Sequence, residues 1–236
     1  MPKKITSEQK TPDDAPSSAA VALGRFPAGE DPIKRGQILD GAKRVFMKMG
    51  YDAASMNDVT REAGVSKGTI YVYFQSKEEL FAALIDRAKG QFTDTVRETL
   101  AQSVSAEDGL RRFGQAFANR IFNSEMIASM RILLGVIDRM PLLCQRYLAD
   151  SPSNARGVLK SFLDRHVADG TLEIADTSLA AKQFIELTGG IFLKGRLFNE
   201  IPEEITPEEI HRVIESGLKV FLAAYACKAE AGSHPG

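Results

Sequence analysis

Residues 55–74 read SMNDVTREAGVSKGTIYVYF, two short runs joined by Ala63-Gly64-Val65-Ser66. Ser55-Met56-Asn57-Asp58 has the form of a capping box with Asp in the usual Glu place, so it opens a short helix that Gly64 closes. Ser66 caps the next helix, which runs from about Lys67 to Phe74. That second run holds three β-branched residues and three aromatics, and propensity alone favours a strand. Context overrides propensity, because two brief runs on either side of a glycine turn suit two helices meeting at a steep angle. Val59, Ala63, Val65, Ile70 and Phe74 then face inward, with 59/63 and 70/74 as i, i+4 pairs. Lys67, Thr69, Tyr71 and Tyr73 are left on the opposite, polar face, and Gly68 permits close backbone approach.

Upstream, Asp31-Pro32 supplies a capping acceptor followed by proline at the first helical position. Ile38, Ala42, Val45, Phe46 and Met49 recur at helical spacing up to Gly50, which ends that helix. Downstream, Ser76-Lys77-Glu78-Glu79 is a second capping box, and Leu80, Leu84, Ala88, Phe92, Val96 and Leu100 continue it as one long amphipathic rod. Further helices are predicted at about 106–122, 125–139, 141–169 (interrupted near Ser151-Pro152), 178–199 and 207–226. No segment after residue 75 alternates with period two, so the chain reads as all-α with roughly nine helices. Residues 1–30 and 228–236 read as disordered tails, 31–77 as a helix-turn-helix domain and 78–227 as a regulatory and dimerisation domain.

The 236 residues are 44% hydrophobic, enough for a substantial core, and the formal charge of −1 hides an asymmetry. Ile33 to Lys77 holds eight Lys/Arg against four Asp/Glu, a local net of +4. The major groove, about 12 Å wide, admits one helix whose first side chains meet base edges. Tyrosine hydroxyls suit phosphate oxygens, which set register without reading sequence. Lys77 in a first helical turn can join free amides in holding another phosphate. Ser55 and Asn57 start the helix that crosses the backbone, and Lys34 and Arg35 reach toward a phosphate or minor groove.

At this point the stretch from Ile33 to about Phe92 resembles the DNA-binding domain of the TetR family. The residues that bear the likeness are Ile38-Leu39, Ala42 through Gly50-Tyr51, Ser55 through Val59, Ala63 through Tyr71, Tyr73-Phe74 and Ser76 through Leu80. The resemblance implies base contacts at Asn57, Lys67, Gly68, Thr69 and Val72, and phosphate contacts at Ser55, Tyr71, Tyr73 and Lys77, with Ser66 and Arg35 beside them. It also implies a homodimer on double-stranded operator DNA, pairing its last two long helices as a four-helix bundle and presenting two heads about 34–36 Å apart. The glycines Gly189, Gly190, Gly195 and Gly217 in those helices suggest close packing against another backbone.

Beyond residue 100 the likeness thins to the broad drug- and metabolite-responsive regulatory type. A cavity for a small-molecule effector is expected among the middle helices, with Phe113, Phe117, Met130, Leu134, Ile137, Phe162, His166 and Phe184 as its candidate lining. No P-loop, GxGxxG, catalytic constellation or metal-ligand spacing stands out, so no cofactor or metal is expected. Cys144 and Cys227 read as two reduced thiols. Neither a membrane span nor a secretory signal is evident, which points to the cytoplasm. Two other classes remain compatible: an all-α enzyme with a basic front end, and a DNA- or partner-binding protein without a usable cavity. The expected function is that of a ligand-released repressor on a palindromic operator; an activator differs only in where the operator sits relative to the promoter.

Overall fold

The computed structural model describes residues 26–122, 124–148, 154–201 and 205–227. The helices are α1 (Pro32–Ala53), α2 (Met56–Ala63), α3 (Lys67–Tyr73), α4 (Lys77–Ala101), α5 (Ala106–Phe122), α6 (Ser124–Gly135), α7 (Pro141–Leu148), α8 (Ala155–Ala168), α9 (Thr177–Ile185), α10 (Ile191–Leu197) and α11 (Pro207–Tyr225). A π-helical turn, Glu186–Gly190, joins α9 to α10 without a break. Among the described residues there is no strand, only an isolated antiparallel bridge between Leu172 and Ala226.

The expected caps are in place. Asp31 accepts from the amides of Ile33 (2.8 Å) and Lys34 (3.2 Å). Ser55 and Asp58 form the reciprocal box, and Gly64 closes α2 in the left-handed conformation (φ 64°). Ser66 and Ser76 accept from the Thr69 and Glu79 amides. Gly50, at φ 77° and ψ 171°, breaks α1 as its sequence position predicts, and one more turn follows. That turn tucks the Tyr51 ring against Phe46 and Phe81, with centroids 5.6 and 5.0 Å away.

Three apolar cores follow from these elements. The first holds Ile38, Leu39 and Phe46 of α1, Val59, Ile70 and Phe74, and Leu80, Phe81 and Ile85 of α4. It does not stop at residue 77, the expected domain edge: Leu133 of α6, Val136 in the turn after it, and Leu143 of α7 are buried in it too. The second gathers Val96, Phe113, Phe162, Phe184 and Phe221, and the third Ile121, Ile127, Phe192 and Ile214.

Several elements depart from the predicted bounds. The segment 141–169, expected to be interrupted, is indeed two helices, and Asn154 starts α8 afresh by accepting from the Gly157 amide at 2.9 Å; Ser151-Pro152 itself lies outside the described residues. The expected helix 125–139 ends at Gly135, and 136–139 form a turn. The expected helix 178–199 contains the π turn, an interruption that apolar periodicity does not announce. The tail assignment of 1–30 also shifts: 1–25 and 228–236 lie outside the described residues, while 27–30 form a turn closed by Glu30 donating to the Pro27 carbonyl.

The late glycines do pack closely, Gly217 against another backbone as expected, Gly189 and Gly195 against side chains. A Cβ on Gly189 would sit 2.3 Å from the Phe117 ring, one on Gly195 2.4 Å from Ile201, and one on Gly217 2.9 Å from the Leu187 carbonyl. These glycines make room for neighbours within the same chain. A comparable contact shapes the first core, where a Cβ on Gly41 of α1 would lie 2.6 Å from that of Ala63 in α2. The crossing of those two helices depends on that missing carbon.

Candidate nucleic-acid interface and effector cleft

Ile70 and Phe74 are buried, which pins α3 to the first core by one side and turns its other side outward. Lys67, Gly68, Tyr71 and Val72 are exposed there, and Thr69 is half-buried. Helical geometry thus puts the ridge at 67, 68, 71 and 72, spaced i, i+4. Tyr73, expected on the same ridge, is half-buried and packs its ring on the first core. Val72 takes its place, and the turn at 27–30 lies beside it, with Gly29 at φ 90° close against the Val72 carbonyl.

The hydroxyl of Ser66 accepts from the Thr69 amide and lies 2.7 Å from the Thr69 hydroxyl, so both are ordered at the start of α3. Ser55 is likewise occupied as a cap, donating its hydroxyl to Asp58 at 2.5 Å. Those bonds hold the Asp58 carboxyl below the usual carboxylate range. Asn57 is exposed one residue further into α2. Arg35 is exposed with its guanidinium 5.2 Å above the Phe74 ring. Lys77 is differently engaged from the expectation: its ammonium donates to the Tyr51 carbonyl (2.8 Å) and the Ala54 carbonyl (3.0 Å), and lies 4.3 Å over the Tyr51 ring.

In the body of the molecule a cleft of about 410 Å³ opens between α4, α5, α6, α8 and the α9–π turn segment. Phe92, Phe117, Met126, Met130, Ile185 and Leu193 supply its apolar lining. Lys89, Arg120, Arg156, Lys182, Asn154 and Glu186 supply the polar part. Of the eight residues expected there, Phe117 and Met130 are present. Phe113, Phe162 and Phe184 are instead fully enclosed in the second core, while Leu134 and Ile137 are exposed. His166 meets the Phe162 ring edge to face, centroids 4.6 Å apart, with its Nδ1 3.2 Å from Asp169, and it is not part of the cleft. Among the described residues no group of three or more His, Cys, Asp or Glu gathers in a way that could hold a metal ion, and no helix is long and apolar enough to cross a membrane.

The profile of AefR-like transcriptional repressors, C-terminal domain, matches residues 108–227, just over half of the chain, and that of the bacterial regulatory proteins of the tetR family matches 38–84. The chain belongs to the TetR family. The solved structures similar to it include the flavonoid-responsive regulator FrrA, 30% identical over 84% of this chain and 99% of that one, with a TM-score of 0.67. A TetR-family regulator of Mesorhizobium loti has the same fold, with a TM-score of 0.75 at 23% identity over 84% of this chain and 98% of that one. The transcriptional activator FasR of Mycolicibacterium smegmatis is 38% identical over 93 residues, 39% of this chain. The match spans 41% of FasR's own length.

Two helices of this TetR-family chain run from the cleft into the head. Lys89 and Phe92 of α4 line the cleft, and Leu80, Phe81 and Ile85 of the same helix lie in the first core. Met126 and Met130 of α6 line it as well, and Leu133 and Val136 just beyond enter the first core. Ion pairs reinforce the second route. Glu125 meets Lys43 of α1 at 2.6 Å, and Arg139 grips Asp52 with two bonds of 2.5 and 3.0 Å. These contacts escaped sequence reasoning, although Lys43 and Asp52 stand on the wet side of α1 with no other evident task.

Proposed function

We propose that this chain is a ligand-released repressor that binds a near-palindromic operator as a homodimer. The observation that carries the reading is the exposed ridge of Lys67, Gly68, Tyr71 and Val72, raised on the buried seam of Ile70 and Phe74. Such a ridge is the part of a helix-turn-helix that meets base edges, and the local excess of Lys and Arg suits the phosphates around it. A second copy would pair through α10 and α11. Ile191 and Phe198 form an exposed apolar stripe on and just past α10, and Val220 with Ala223 and Ala224 forms another on α11.

An effector in the cleft would act through α4 and α6 together, since each has one part beside the cleft and another in the head. Release requires that the effector favour the non-binding arrangement by a few kcal/mol. FrrA is named as flavonoid-responsive and FasR as an activator. The sign of regulation follows from where the operator lies relative to the promoter, and the same machinery serves either outcome. The cytoplasm is where such a protein would meet chromosomal DNA.

The test begins with selection of bound fragments from the source genome and titration of the recovered operator by fluorescence anisotropy. Lys67→Ala is expected to weaken binding to the recovered operator about tenfold and to relax its preference over unrelated sequence. Unchanged affinity in a Lys67→Ala, Tyr71→Ala double variant would remove α3 as the reading element.

A further inference from the structure

Cleft composition restricts what can occupy it. Among the described residues, four cationic side chains, Lys89, Arg120, Arg156 and Lys182, line it together with one carboxylate, Glu186. That carboxylate is already engaged, with Lys194 at 3.0 Å. Arg120 is fixed in orientation, its guanidinium 5.5 Å over the Phe92 ring and bonded to the Ala88 carbonyl at 3.3 Å. Apart from Asn154, the remaining lining is aromatic, thioether and aliphatic. The volume of about 410 Å³ falls within the roughly 300–1,000 Å³ of small-molecule sites.

We propose that the effector is an amphipathic anion, whose apolar body lies against Phe92, Phe117, Met126 and Met130 and whose carboxylate or phosphate head is held by the cations around it. The proposal rests on the reading of this cleft as the effector site and adds the sign of the ligand's charge. In a partly desolvated cleft an anion among several cations gains charge-assisted hydrogen bonds, and a cationic ligand of the same shape is repelled. A neutral ligand gains the apolar contact alone.

The test uses the full chain and ten-carbon probes that differ only in the head: decanoate, decyl phosphate, decan-1-ol and decyltrimethylammonium. Binding is measured by calorimetry below micelle-forming concentrations, and operator release by anisotropy. Decanoate or decyl phosphate is expected to bind at least tenfold tighter than decanol and to release the operator. A preference between the two anions identifies a carboxylate or a phosphoryl source. Lys182→Gln and Arg120→Gln are expected to reduce the anion's affinity about five- to tenfold and leave decanol unchanged, whereas Arg97→Gln, on the exposed side of α4 and outside the cleft lining, alters neither. If decanol or the ammonium probe binds as tightly as the anions, the charge assignment falls while the cleft reading stands. If operator binding is intact and no probe binds, both fall.

Discussion

Three backbone carbonyls, those of Tyr51, Asp52 and Ala54, lie 2.8, 3.4 and 3.0 Å from the ammonium of Lys77. They are acceptors left over where α1 ends, and an ammonium with three protons satisfies them together. Lys77→Met, similar in length and uncharged, should therefore lower the head's stability by about 1–3 kcal/mol and leave the salt slope of operator binding as it was. Thermal unfolding and the salt titration measure the two effects separately; a slope reduced by one with stability unchanged would return Lys77 to the phosphate. The placement of Lys77 in a first helical turn was legible in sequence, but the direction of its side chain was not. That direction depends on the break at Gly50, which swings residues 51–54 beneath it. Gly41 was overlooked for a related reason. A mid-helix glycine costs about 1 kcal/mol against alanine, a signal that something approaches closely, but only the folded chain reveals that it is Ala63.

Among the elements, α6 joins an effector-sized space to the first core over about three helical turns. The Asp52–Arg139 pair just beyond it is exposed, and exposed pairs contribute little to global stability. Its consequence is for coupling. Asp52→Asn should leave operator affinity without effector, and effector affinity, nearly unchanged, while reducing the factor by which effector weakens operator binding. An unaltered factor would exclude the pair from transmission. Arg139 holds the Asp52 carboxyl below its ordinary range, chiefly by hydrogen bonding. A carboxyl depressed in this way adds its contribution above the ordinary value of about 3.9 and loses it as pH falls through the lower folded value. Below about pH 4 the amides of residues 136–139 should accordingly exchange faster than intrinsic rates predict, and Asp52→Asn should show the same loosening at neutral pH. Capping residues made the helix starts legible, whereas the π turn at Glu186–Gly190 was hidden, because one additional residue in a helix leaves a normal apolar pattern on either side.

For the whole molecule, Phe198 is 81% exposed and Ile191 61%, a large apolar investment for a free surface. Phe198→Glu is expected to yield monomers in analytical ultracentrifugation and to weaken operator binding by two orders of magnitude or more, since two linked heads bind as one unit. A dimer that persists would move the interface elsewhere. At this scale the sequence was least informative. Periodicity marked Phe113, Phe162 and Phe184 as apolar-facing, which they are, but could not distinguish a face packed on neighbours from one that borders a space. Leu134 and Ile137 carried the same mark and are exposed. Those differences arise from contacts between residues far apart in the chain, beyond the reach of any local pattern.

Leu133, Val136 and Leu143 complete the core that α1, α2 and α3 begin. A fragment trimmed at Lys77 would be missing these three side chains, along with Leu80, Phe81 and Ile85, and would bare the rings of Phe46 and Tyr51 that Phe81 covers. Grafting this reader onto a foreign sensor therefore calls for a splice near residue 143 rather than at the end of the recognition motif, and any chimera spliced earlier inherits an unfinished interior.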